Sequence, residues 1–172
     1  MKQQIVKRKI VAEPVVRVDP ASPLMEYFKT IRTNIEFSSI DNKLRTVNIT
    51  SSNQGEGKSL VLVNLALSFA QIGRKVLIID ADLRRPSIHR YFGISNRHGL
   101  TNALLGRDEL GANVMPANFE NLSILTSGPI PPNPAELLMS ETMTHLIEKV
   151  REMYDMVFID CRSEEHTSEL QS

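Results

Sequence analysis

Thr46-Val47-Asn48-Ile49-Thr50-Ser51-Ser52-Asn53-Gln54-Gly55-Glu56-Gly57-Lys58-Ser59 is the stretch on which the fold turns. Its β-branched opening, Thr46 to Thr50, reads as a buried strand, and Leu60 to Gly73 beyond it reads as a helix. Strand, glycine turn, Lys-Ser and helix in that order form the P-loop arrangement. Gly55 and Gly57 let the backbone bend so that successive N–H groups face inward, where the helix N-terminus adds the positive end of its dipole. Residues Gly55, Glu56, Gly57, Lys58, Ser59 and Leu60 are therefore the expected cradle for a nucleotide triphosphate. Lys58 would reach the β- and γ-phosphates and Ser59 would set its hydroxyl on Mg²⁺. Ser52 stands where such loops usually have their first glycine.

Working outward, Lys75-Val76-Leu77-Ile78-Ile79-Asp80 is an apolar run too short for a helix and typical of a strand buried on both faces. Leu122-Ser123-Ile124-Leu125 and Met156-Val157-Phe158-Ile159-Asp160 read the same way. Short helices are expected over Pro86–Phe92 and Leu100–Leu105, and one longer helical stretch from Ala135 to Tyr154. Between them Gly128-Pro129-Ile130-Pro131-Pro132-Asn133-Pro134 is a stiff loop, since each proline fixes φ and restrains the residue before it. Strands alternating with helices predict an α/β, doubly wound, mostly parallel sheet of the P-loop NTPase kind, flanked by helices. Such sheets bind ligands at the carboxyl ends of their strands. Asp80 and Asp160 end their strands there, and Asp82 follows closely. A carboxylate closing an apolar strand is costly without a partner, and Mg²⁺ held with phosphates supplies one.

Upstream, residues 1–20 alternate apolar with basic or polar residues and read as an extended arm. Ser22-Pro23 starts a helix, Ser22 as N-cap and Pro23 at the first helical position. Leu24, Phe28, Ile31 and Ile35 recur at helical spacing and predict one buried stripe. Glu26, Lys29 and Arg32 share one helix face, a pattern that suits an intrahelical charge ladder. The domain proper is expected over residues 21–160.

At 172 residues the chain fits one domain, and its 20 basic and 20 acidic side chains cancel. Nothing in that balance points to nucleic acid. Cys161 is the single cysteine, which excludes an internal disulfide framework and suits a reducing cytoplasm. The most apolar stretch, Leu60 to Ile72, falls short of the about 20 residues needed to span a bilayer.

These pieces together resemble the bacterial tyrosine kinases of capsular and exopolysaccharide systems. Ser52–Ser59, Val76 to Pro86 and Val157-Phe158-Ile159-Asp160 look like that family's Walker A, A′ and B motifs. Ser127 to Leu138 is close to a family signature, and Glu26 to Asn34 resembles its oligomerisation helix. The resemblance implies an ATP-dependent tyrosine kinase requiring Mg²⁺, with Lys58 on phosphate and Ser59, Asp82 and Asp160 holding the metal. Asp80 would take the proton from an incoming tyrosine hydroxyl. Glu26, Lys29 and Arg32 would make subunit contacts in a ring-like homo-oligomer. Protein tyrosines are the implied substrates. A transmembrane polysaccharide co-polymerase is the implied activator, its cytoplasmic tail drawing the kinase to the inner face of the plasma membrane.

Gln54 and Lys29 depart mildly from the family, which usually has proline and arginine there. After Asp160 the departure is larger. The family continues Thr-Pro-Pro and ends in a tyrosine cluster, whereas residues 161–172 are polar, without apolar period or tyrosine. They read as a disordered tail of translated adapter sequence on a broken gene, so this chain is expected to be weakly active or inactive. Two other functions share the loop and the acids. One is a switch ATPase of the septum-positioning or partition type, which has a signature lysine where Asn53 stands. The other is a nucleotide-sensing regulator of a polysaccharide exporter.

Overall fold

The computed structural model describes residues 23–38, 44–49 and 57–161. The N-terminal arm, Ser22, Thr50, Gly55, Glu56 and the tail beyond Cys161 lie outside them. The elements run α1 (Pro23–Ser38), β1 (Thr46–Ile49), α2 (Lys58–Ala70), β2 (Val76–Asp80), α3 (Ile88–Phe92), α4 (Leu100–Leu104), α5 (Leu110–Asn113), β3 (Val114–Pro116), β4 (Leu122–Leu125), α6 (Pro134–Leu138), α7 (Glu141–Met153) and β5 (Met156–Asp160).

Among these residues the strands form one sheet in the order β1-β5-β2-β4-β3. The first four are mutually parallel, and β3 pairs antiparallel with β4 at the edge. Pro116 is tolerated in β3 because an edge strand can spare an N–H. Every residue of β2 and β5 is buried, so their apolar runs serve two faces at once. Val76, Ile78 and Phe158 point into a core under α1 and α2, where the Phe69 and Phe158 rings meet at 5.6 Å. Leu77, Ile79, Val157 and Ile159 point the other way, against Leu100 and Leu104 of α4 and Met143, Ile147 and Val150 of α7. Period-two alternation thus builds helices onto both faces of one sheet, the predicted doubly wound architecture.

Several boundaries differ from expectation. The α1 stripe is rotated: Met25 and Phe28 are buried and Ile35 packs beside them, whereas Leu24 and Ile31 are 49% and 41% exposed. The rotation brings Arg32 onto α2, where its Nη1 donates to the Ser68 carbonyl at 2.6 Å. Spacing alone finds a helical stripe but cannot choose between two overlapping ones. The stretch 135–154 is two helices, broken where Ser140 caps α7 by accepting from the Met143 N–H. Elements α5 and β3 were not anticipated; both are too short to carry a period.

Beyond β4, Gly99 lies against the chain coming the other way. A Cβ there would sit 2.1 Å from the Thr126 carbonyl oxygen and 2.5 Å from the Gly128 nitrogen. Leu100 and Thr101 donate backbone N–H groups to Thr126 and Ser127, which locks the start of α4 to the entry of the proline loop.

Candidate nucleotide site

Parallel pairing sets the site's frame. Ile49 is the register partner of Asp160, and Asp160 of Asp80, so three strand ends meet on one edge of the sheet. Gly57 follows the loop in a left-handed conformation, φ 77°, and nothing lies within 4 Å of where its Cβ would be. It caps α2 with no side chain of its own, and its carbonyl accepts the Val61 N–H. Leu60 occupies the first turn, its carbonyl accepting from Asn64 Nδ2.

Lys58 and Ser59 open α2 directly over β5. Lys58 Nζ lies 3.3 Å from Asp160 Oδ1 and donates to the Cys161 carbonyl. Ser59 Oγ donates to Asp160 Oδ2 at 2.6 Å and accepts from Ser87 Oγ at 3.1 Å. Asp160 is 1% exposed. Burial raises its carboxyl above the usual carboxylate range, opposed by the Ser59 hydrogen bond and the Lys58 charge. Its Oδ1 accepts no hydrogen bond, the Lys58 approach being an ion contact only.

Asp80 is wholly buried, and both its oxygens are engaged. Oδ2 accepts from the backbone N–H groups of Ser87 and Ile88, each at 3.0 Å, and Oδ1 from that of Asp82 at 3.3 Å. This is why α3 begins at Ile88 rather than at Pro86. Burial pushes the Asp80 carboxyl up to about 7 against the pull of those N–H groups, and the Asp160 charge adds to the rise. Asp82 is half-buried and accepts from the Arg85 N–H at 3.0 Å. Its charge raises both neighbouring carboxyls.

The residues fit a Mg²⁺ ion shared with nucleotide phosphates. A buried carboxylate oxygen accepts no hydrogen bond beside a hydroxyl, hard oxygen donors of the kind Mg²⁺ prefers. Among the described residues no group of three or more His, Cys, Asp or Glu side chains could hold a metal unaided.

Lys58, Ser59, Asp80 and Asp160 are thus brought together, with Asp82 beside them. Glu26, Lys29 and Arg32 lie away on α1: Lys29 pairs with Glu26 at 2.6 Å, while Arg32 turns to Ser68. Two participants were missed. Ser87 falls in sequence inside the helix expected over Pro86–Phe92, and Asn48, whose Oδ1 accepts from Cys161 Sγ at 2.9 Å, reads as one polar residue in a strand. Neither carries a spacing signal. Cys161, assigned to the tail, is buried in the core under α7.

An AAA-domain family model matches residues 44–166. The tyrosine-protein kinase YwqD of Bacillus subtilis is 49% identical over 146 residues, 85% of this chain and 62% of that protein. The putative tyrosine-protein kinase CapB of Staphylococcus aureus is 37% identical over 155 residues, 90% of this chain and 68% of that one. This chain belongs to the bacterial tyrosine-protein kinase family. The solved chimerical protein CapA2B2 superposes on it with a TM-score of 0.84 at 38% identity, over 91% of this chain and 69% of that one. The septum site-determining protein MinD of Pyrococcus horikoshii, solved with Mg-ADP, gives 0.59 at 28% identity over 69% and 49%. The kinase family therefore shares its P-loop sheet with the switch ATPases but lies nearer this chain. The chain spans about two thirds of the length of YwqD and CapB.

Proposed function

We propose that this chain is the nucleotide-binding body of an ATP-dependent protein-tyrosine kinase that regulates capsular or exopolysaccharide synthesis and export. The observation that carries the reading is the cluster of Lys58, Ser59 and Asp160 at the joined ends of β1, β5 and β2.

Lys58 would bind the β- and γ-phosphates, exchanging its Asp160 contact for them. Ser59 and Asp160 would hold Mg²⁺, with Asp82 contributing partly through water. Bound with ATP, the ion supplies charge neutralisation for the phosphoryl group as it leaves ADP. The tyrosine oxygen forms the new bond to phosphorus, and its proton passes to Asp80. A carboxyl raised to about 7 is matched to proton transfer near neutral pH. Its longest hydrogen bond, from the Asp82 N–H, is the one that must yield.

The kinship with YwqD and CapB supports protein tyrosines as substrates. A membrane-borne activator whose cytoplasmic tail recruits the kinase belongs to the same reading. Among the described residues no helix is long and apolar enough to cross a membrane, so recruitment through a partner fits. The α1 face bearing the exposed Glu26–Lys29 pair is the surface for self-association.

The test is incubation of the chain, extended to the length of its relatives, with Mg-ATP and an activator tail, read by phosphotyrosine blot beside Lys58→Met and Asp80→Asn. Signal that both substitutions abolish is the expected result. Mg-dependent phosphate release without phosphotyrosine would transfer the chain to the switch ATPases, the class to which its likeness to MinD points.

A further inference from the structure

We propose that Ser87 is a positioning residue for Ser59, fixing the orientation in which the Ser59 oxygen meets a divalent cation. The proposal rests on the nucleotide–Mg²⁺ reading of the site.

Serine at a helix N-cap ordinarily turns its hydroxyl onto the backbone N–H groups of the first turn. Ser87 holds the N-cap position of α3 but makes no such bond. The capping is done from the sheet, by Asp80 Oδ2, which accepts the N–H groups of both Ser87 and Ile88. The Ser87 hydroxyl is thereby released from its usual duty and donates instead across the site to Ser59 Oγ at 3.1 Å.

A hydroxyl has one proton and two lone pairs. Ser59 gives its proton to Asp160 Oδ2 and one lone pair to Ser87, so its last lone pair has a fixed direction. With Asp160 alone, the hydroxyl could turn about that single bond. Asp80 and Asp160 are register partners on adjacent strands, so one sheet edge sets the positions of both anchors. Beside this oxygen lies Asp160 Oδ1, buried and accepting no hydrogen bond. The arrangement orients a ligand oxygen in advance, which partners behind metal ligands commonly do.

The competing account is a plain tether between the 82–87 loop and α2. A tether would lower the unfolding temperature without changing the metal requirement. The two separate in fluorescent-ADP binding to the 172-residue chain, measured in EDTA and across a Mg²⁺ series. Ser87→Ala is expected to raise the Mg²⁺ concentration at half-saturation about tenfold, leave binding in EDTA unchanged, and be rescued by Ser87→Thr. If Ser87→Ala does not fold, Ser87→Cys, similar in size but a weaker donor, carries the same comparison. An unchanged Mg²⁺ dependence in the variant, or a shift that threonine fails to recover, overturns the proposal. Wild-type binding indifferent to Mg²⁺ would remove the metal reading itself, and the role of Ser87 with it.

Discussion

Asp80 and Asp160 are register partners at the last positions of adjacent parallel strands, and both carboxyls are buried. Each is raised by burial first, and for Asp80 the neighbouring Asp160 charge adds to the rise. The folded Asp80 carboxyl, at about 7, holds a proton that the unfolded chain releases near the ordinary value of 3.8. Between those values the folded state binds more protons, so the Asp80 contribution to stability is full below the unfolded value and is lost as pH rises through about 7. In EDTA, wild type should lose thermal stability with rising pH more steeply than Asp80→Asn. Calorimetry across that window checks this; equal slopes would mean that Asp80 is ionised throughout.

Lys58→Met should weaken nucleotide binding by about 100-fold, since a charge-assisted contact to phosphate is lost. It should also raise the Asp160 carboxyl further, because Lys58 is the cation beside it. Titration calorimetry with Mg-ADP reads the first effect. Binding within a few-fold of wild type would remove Lys58 from the phosphate site.

Much of this geometry was legible in the sequence. The strand before Lys58, the helix it opens and the acids closing β2 and β5 pointed to the parallel sheet and to the edge where those strand ends meet, because fully apolar runs suit strands buried on both faces and a strand-end carboxylate is costly without a partner. What escaped was relational. Nothing local distinguishes the Met25–Phe28 face of α1 from the Leu24–Ile31 face, because both are apolar and the choice is made by α2. Likewise Ser87 looks like one more residue of a helix begun at Pro86 until the Asp80 carboxylate is seen arriving from another element to set the start of α3.

The α1 charges should separate on substitution. Arg32→Ala removes a partly buried hydrogen bond to the Ser68 carbonyl and should cost about 1–2 kcal/mol of stability in the monomer. Glu26→Ala removes an exposed pair and should cost no more than about 0.5 kcal/mol. Urea unfolding at low protein concentration measures both. Equal losses would mean that Arg32 does not hold α1 to α2.

Gly99→Ala should be severely destabilising, about 3 kcal/mol or more, since its methyl would meet backbone rather than a yielding side chain. A melting temperature lowered by about 10 °C is expected. Gly111→Ala, with open space around it inside α5, is the matched control and should leave melting unchanged or slightly raised.

Neighbouring residues of β2 and β5 serve opposite cores, Ile78 and Phe158 one, Leu77 and Val157 the other. Neither core can melt while those strands stay paired, because each loss strips one face from a backbone that both share. The two layers are therefore a single cooperative unit. Amide protons of β2 and β5 should exchange with solvent only when the whole domain opens, on either face at the same rate.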